Sequence, residues 1–266
     1  DNIVVVGLGH LDHLTKDHYV QAAYTTAKVL NEQKVESTSV QIKPYGTVDE
    51  KNTLQGITEG FLQADYSFDT YKKEKTKYSL TSVSLLTDLK NAQEAIEEVR
   101  LLLEAVNVTR DLVNTPANDL YPETLANKVT DLFKDTDVQV EIFDKQALEE
   151  LGAKALLAVS QGSSKEPRML VLKYLPLGDE EPVISLVGKG VTYDSGGYAI
   201  KSAKGMSTMK TDMAGAGAMI GALHAIVSNN IQQNVVCVIG ATENLISGEA
   251  FKNGDIIHTL KGTTIE

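Results

Sequence analysis

Short β-branched runs alternate with segments of helical period along most of this chain, and that alternation restricts it to the α/β architectures. Ile3–Val6, Ser37–Ile42, Ser79–Leu86, Val138–Phe143, Arg168–Leu175, Pro182–Val187 and Asn234–Ile239 read as strands. Helices are expected at about Asp17–Asn31, Val48–Gln63, Asn91–Arg110, Lys145–Leu151 and Met209–Val227. The Asn91–Arg110 helix carries an apolar stripe of Ala95, Val99, Leu102, Leu103 and Val106. Glu94, Glu97 and Glu98 load its first half with acid, as the helix dipole favours. Pro116 and Pro122 then punctuate a turn region, so a domain junction is expected on or near this helix. Tyr66–Tyr78, with Lys72, Lys73, Lys75 and Lys77, reads as an exposed loop. Ile256–Leu260 and Thr263–Glu266 read as a hairpin around Lys261-Gly262.

Composition narrows the partners. The formal charge of −11, from 25 basic and 36 acidic residues, opposes phosphate backbones and anionic lipid, so neither nucleic acid nor membrane is the expected partner. No apolar run approaches the ~18 residues of a membrane span, and the start of the chain has no basic signal-peptide region. Cys237 is the only cysteine, which excludes an internal disulfide and Cys-based zinc sites and fits a reducing, cytoplasmic compartment. Its setting, Val235-Val236-Cys237-Val238-Ile239, is that of a buried small hydrophobe. His10, His13 and His18 read as surface loop histidines.

One stretch carries chemistry. The apolar strand ending at Val187 runs into Gly188-Lys189-Gly190-Val191-Thr192-Tyr193-Asp194-Ser195-Gly196-Gly197, then Lys201, and Asp212 follows near a helix start. Ligands of open α/β sheets sit at the carboxyl ends of such strands. Two carboxylates and two lysines thus converge from a glycine-rich loop and a helix N-terminus. Asp194 and Asp212 are hard oxygen ligands suited to divalent cations, and Ala214, Ala218 and Ala222 form a small-residue face for packing the helix on the sheet. Other readings stand beside this one. A phosphate loop needs G-x-x-x-x-G-K-[ST], which is not supplied, and Gly7-Leu8-Gly9 lacks the third glycine of a dinucleotide fingerprint, Asp12 standing in its place. Both aspartates also suit turn and cap positions.

The run from Val187 to Gly221 closely resembles the leucyl aminopeptidase (cytosol aminopeptidase) family of metallopeptidases: G-K-G, then D-S-G-G, then Lys201, then M-x-x-M-K-x-D-M at Met206–Met213. Leu112–Asp119 is similar to that family's entry to the catalytic domain, and Gly60–Tyr71 and Ser247-Gly248 match more loosely. The resemblance implies an α/β fold with a macro-like N-terminal domain (1–90, incomplete), a linker helix (91–111) and the first part of a metallopeptidase catalytic domain (112–266). It implies that Lys189 and Asp212 bind one divalent ion, that Asp194 bridges two, and that Lys201 is a catalytic cation. The ions implied are Mn²⁺ or Zn²⁺, with Mg²⁺ or Co²⁺ as further options. A lysine coordinates only as the neutral amine, which requires lowering its pKa from about 10.4 by about 3 units, or about 4 kcal/mol, a cost that a nearby dication offsets. The activity implied is release of bulky apolar N-terminal residues from peptides by water activated between two metals, in a homohexamer.

The family's next motif, N-T-D-A-E-G-R, is absent. It supplies two further carboxylate ligands and an arginine that holds a bicarbonate, and its expected place lies beyond Glu266. With no initiator Met either, the sequence is expected to be an internal segment of a longer protein and inactive by itself, with a non-catalytic binding or assembly role as the alternative.

Overall fold

The computed structural model describes residues 3–266, and the reading of the first two residues lies outside them. The chain divides into two units, Asp1–Asn107 and Val108–Glu266. The first holds α1 (Lys16–Glu32), β1 (Ser37–Gln41), α2 (Glu50–Ala64), β2 (Ser82–Leu86) and most of α3 (Ala92–Asn114), which continues into the second unit. β1 and β2 pair in parallel. A Cβ on Gly60 would sit 2.3 Å from the Val20 carbonyl oxygen and 2.7 Å from Ala23 Cβ, so α2 meets α1 backbone to backbone. Tyr19, Ala23, Ile42, Leu54, Ile57 and Ala95 form the core beneath them. Helix starts follow local chemistry: Asp49 accepts from the Asn52 amide at 2.7 Å, and His18 completes a capping box with Thr15.

The second unit is built on a four-stranded mixed sheet of order β3-β4-β6-β5, made of β3 (Gln139–Phe143), β4 (Arg168–Tyr174), β5 (Val183–Asp194) and β6 (Asn234–Asn244). β5 and β6 are parallel; the other two pairings are antiparallel. α4 (Pro122–Phe133), α5 (Lys145–Leu151), α6 (Lys154–Ser160), the short α7 (Ala203–Met206) and α8 (Ala214–Ser228) complete the unit, with a terminal hairpin of β7 (Ile257–His258) and β8 (Thr264–Ile265). Leu125, Val129, Phe133, Leu170, Leu172, Ile220, Leu223 and Ile239 are among the core residues. Cys237 lies in the same core, where burial pushes its thiol up to about 12.

Three local expectations are corrected, and one element was missed. Ile3–Val6 is not a strand; Ile3 and Val5 are 88% and 89% exposed. β-branched residues favour extended backbone, but a strand also needs an edge to accept its hydrogen bonds. Pro122 opens a helix rather than a turn: at its first position the missing N–H costs nothing, and Leu125, Ala126, Val129 and Phe133 bury one face. The short α6 also went unread: unlike the equally short α5, which Asp144 caps, it starts at Ala153 with no side-chain cap to mark it. The stretch from Gly188 to Asp194 is strand, not loop.

The glycines explain that last difference. A Cβ on Gly188 would lie 2.5 Å from Ile239 Cδ1 and 2.7 Å from Ala216 Cα, and one on Gly190 would lie 2.7 Å from the Gly240 carbonyl oxygen. Both serve close approach rather than turning. The face of α8 that packs is therefore Ala216, Gly217, Ile220, Gly221 and Leu223; Ala218, on the face expected from sequence, is exposed. β5 is a sheet edge, with Val187 75% exposed.

Gly188→Ala should destabilise the second unit by about 1–3 kcal/mol through overpacking, read as a lower midpoint of urea unfolding. Cys237 should resist thiol reagents in the native chain and label fully on unfolding in guanidinium.

Candidate metal centre

Lys189 and Asp194 are five positions apart, and in an uninterrupted strand they would face opposite sides of the sheet. The register against β6 shifts between Val191 and Tyr193. Thr192 is the extra residue of this bulge, buried and donating from Oγ1 to the Thr242 carbonyl at 3.2 Å. Lys189 then stands opposite Gly240 and Asp194 opposite Asn244, four apart on β6, so the lysine and the carboxylate come into phase. Parallel pairing also places Asp194 and Asn244 together at the carboxyl ends of their strands.

Asp212 reaches Lys189 from the other direction. A 3-10 turn, Met209–Thr211, leads into α8, and the first turn of α8 lies against β5: a Cβ on Gly215 would sit 3.2 Å from the Lys189 nitrogen. Lys189 Nζ lies 2.9 Å from Asp212 Oδ1, its side chain 60% exposed. The second oxygen, Asp212 Oδ2, is buried with no hydrogen-bond partner. A bare buried carboxylate oxygen costs on the order of 1–3 kcal/mol or more, and a divalent cation bound there would repay that cost. Lys210 secures this turn, donating from Nζ to the Asn114 carbonyl at 2.6 Å, which also places a cation at the C-terminus of α3.

Lys201 returns to the same strand end. Its ammonium pairs with Asp194 Oδ2 and lies 3.3 Å from the Asp194 carbonyl. Asp194 Oδ1 accepts from the Gly196 amide at 2.9 Å and from Asn244 Nδ2 at 2.8 Å. Burial by itself would raise the Asp194 pKa; the hydrogen bonds from Lys201, Gly196 and Asn244 outweigh it and hold the carboxyl below its usual range. Asp194 is therefore a carboxylate across the physiological range.

All four residues singled out from sequence thus stand in two ion pairs, Lys189 with Asp212 and Lys201 with Asp194. Among the described residues no three His, Cys, Asp or Glu side chains gather as a metal cluster. His18 serves a helix cap, and Gly7-Leu8-Gly9 follows no strand, which removes the dinucleotide reading. Sequence reading missed Asn244, Lys210 and the Thr192 bulge. Thr192 and Lys210 both lay inside the quoted run, but the bulge at Thr192, like the role of Asn244, depends on the pairing of β5 with β6.

Comparison with known proteins supplies the family. Residues 107–266 match the catalytic domain of the cytosol aminopeptidase family, and residues 1–75 match that family's N-terminal domain. The chain belongs to the cytosol aminopeptidase family. A probable cytosol aminopeptidase of Clostridium perfringens is 39% identical over all of this chain and 55% of its own length. One of Treponema denticola is 39% identical over 98% of this chain and 56% of its own. Among solved structures, the bottromycin maturation enzyme BotP in complex with Mn superposes with a TM-score of 0.87 at 30% identity, over 97% of this chain and 55% of that one. The cytosol aminopeptidase of Coxiella burnetii gives 0.81 at 27%, over 97% and 51%. The chain spans about half the length of the curated relatives it matches. The family's α/β architecture, an N-terminal domain followed by part of a catalytic domain, is the one described above.

Lys210→Met removes the ammonium that satisfies the Asn114 carbonyl. It should lower stability by about 1–3 kcal/mol, measured by chemical denaturation.

Proposed function

We propose that this chain is the N-terminal domain (1–90), linker helix (91–111) and first catalytic segment (112–266) of a metal-dependent aminopeptidase, with Lys189, Asp194 and Asp212 as metal ligands and Lys201 as the catalytic cation. The observation that carries the metal assignment is the buried, unpartnered Asp212 Oδ2 beside Lys189. Family membership and the manganese complex of BotP support it.

Divalent ions bound at such a site supply Lewis acidity and lower the pKa of water. The chain's own residues do the rest. Asp212 is fixed by the 3-10 turn and by the Lys210 tether, so its free oxygen stays aimed without reorganisation. Asp194 enters the reaction ionised and held on one oxygen. Lys201, paired with Asp194, would stabilise the oxyanion that develops as a peptide carbonyl is attacked. Peptides with a free N-terminus and a bulky apolar first residue are the substrates the family implies. The finer readings are Mn²⁺ or Zn²⁺ as the ions, bicarbonate in the complete site, a homohexamer and a cytoplasmic setting. No described helix is long and apolar enough to cross a membrane.

Two outcomes test this. Asp212→Ala should abolish manganese binding, read by electron paramagnetic resonance or calorimetry, while retaining the fold by circular dichroism; equal binding by the wild type and this variant would place the ion elsewhere. A polypeptide of residues 1–266 alone should hydrolyse leucyl amide no faster than buffer, because a two-metal site needs more carboxylates than the two gathered here. Metal-dependent turnover by that purified polypeptide would overturn the second expectation.

A further inference from the structure

The motif Asp194-Ser195-Gly196-Gly197 is organised around a residue fifty positions away. Asn244 donates from Nδ2 to Asp194 Oδ1 at 2.8 Å. Its backbone carbonyl accepts twice from Ser195, from the amide at 2.9 Å and from Oγ at 2.8 Å. Gly197 has a φ of +60°, and a Cβ there would come within 2.9 Å of Asn244 Oδ1, so the second glycine clears space for the Asn244 side chain. Gly196 has a φ of +89°, where a Cβ would strike the Ala199 carbonyl at 2.4 Å, and in that conformation its amide reaches Asp194 Oδ1. Three of the four motif residues therefore touch or make room for Asn244, and the fourth completes its grip on the same carboxylate oxygen.

We infer that Asn244 is a positioning residue for Asp194, setting the carboxylate's orientation and so its affinity for a divalent ion. This rests on the assignment of Asp194 as a metal ligand. A carboxylate on a strand end has free rotation about two side-chain bonds. Two donors on Oδ1, from Asn244 and the Gly196 amide, remove that freedom and leave Oδ2 as the oxygen that faces a cation, here the Lys201 ammonium. The amide of Asn244 is itself fixed end for end, because its nitrogen meets an acceptor that only a donor can satisfy. Outer partners of this kind typically change metal affinity about 10–100-fold when removed.

The test measures the manganese dissociation constant of the full 266-residue chain by calorimetry, with the unfolding temperature of the metal-free protein recorded alongside. Asn244→Ala and the near-isosteric Asn244→Leu should each weaken binding about 10-fold or more. Ser195→Ala, which removes the hydroxyl's bond to the Asn244 carbonyl and the one it accepts from the Gly197 amide at 3.3 Å, should weaken it by a smaller factor in the same direction and covers the case in which the Asn244 variants do not fold. Unchanged dissociation constants in the folded variants, with or without a lower unfolding temperature, would reduce Asn244 to a structural role and overturn the inference. Failure of the metal assignment beneath it looks different: the wild type would not bind manganese, or Asp212→Ala would bind it as well as the wild type.

Discussion

The parallel pairing of β5 with β6 is the constraint on which the rest of the second unit depends. Gly188 and Gly190 present no side chain to Ile239, Ala216 and the Gly240 carbonyl, so these neighbours approach the β5 backbone closely. That closeness lets α8 lie against β5 at Lys189 and so delivers Asp212 from the helix start. The same ladder carries the Thr192 bulge, and it sets Asp194 opposite Asn244. A shift of one residue in this pairing would turn Asp194 to the other face and dismantle both ion pairs.

The two carboxylates are held in different electrostatic states. Asp194 has Oδ1 hydrogen-bonded twice and Oδ2 paired with Lys201. Asp212 has one oxygen on Lys189 and one on nothing. Each aspartate has its own lysine partner. Lys189 and Lys201 neutralise them locally. A cation arriving at Asp194 therefore has to compete with an ammonium, whereas Asp212 Oδ2 has no protein partner to give up.

The alternation of strands and helices and the four charged residues were legible because each is written locally, in period or in motif. Helix starts and ends were legible to within a few residues where a cap or proline marked them, as at Asp49 and at Thr115-Pro116. What escaped was set by tertiary partners. Gly188 and Gly190 read as loop glycines because sequence does not show Ile239 and Ala216 behind them. Pro122 read as a breaker because its position relative to the helix decides its effect. The packing face of α8 was misjudged because Ala214, Ala218 and Ala222 satisfy a small-residue spacing that Gly217 and Gly221 satisfy equally, and only the tertiary partners, Thr109 and Val113 of α3 at Gly217 among them, select between them.

The motif itself then acquires a division of labour. Between Val187 and Lys201 the charged residues are those that can meet an ion or a developing charge, and they are few. The glycines answer to geometry: Gly188 and Gly190 bring backbone against backbone, Gly196 turns an amide onto Asp194, and Gly197 leaves room for Asn244. Ser195 spends both its amide and its hydroxyl on the Asn244 carbonyl and so belongs to the geometric group. A chain could therefore retain every charged residue of the motif and still lose the site through Ser195, Gly197 or Asn244, because the orientation of Asp194 is decided by residues that carry no charge.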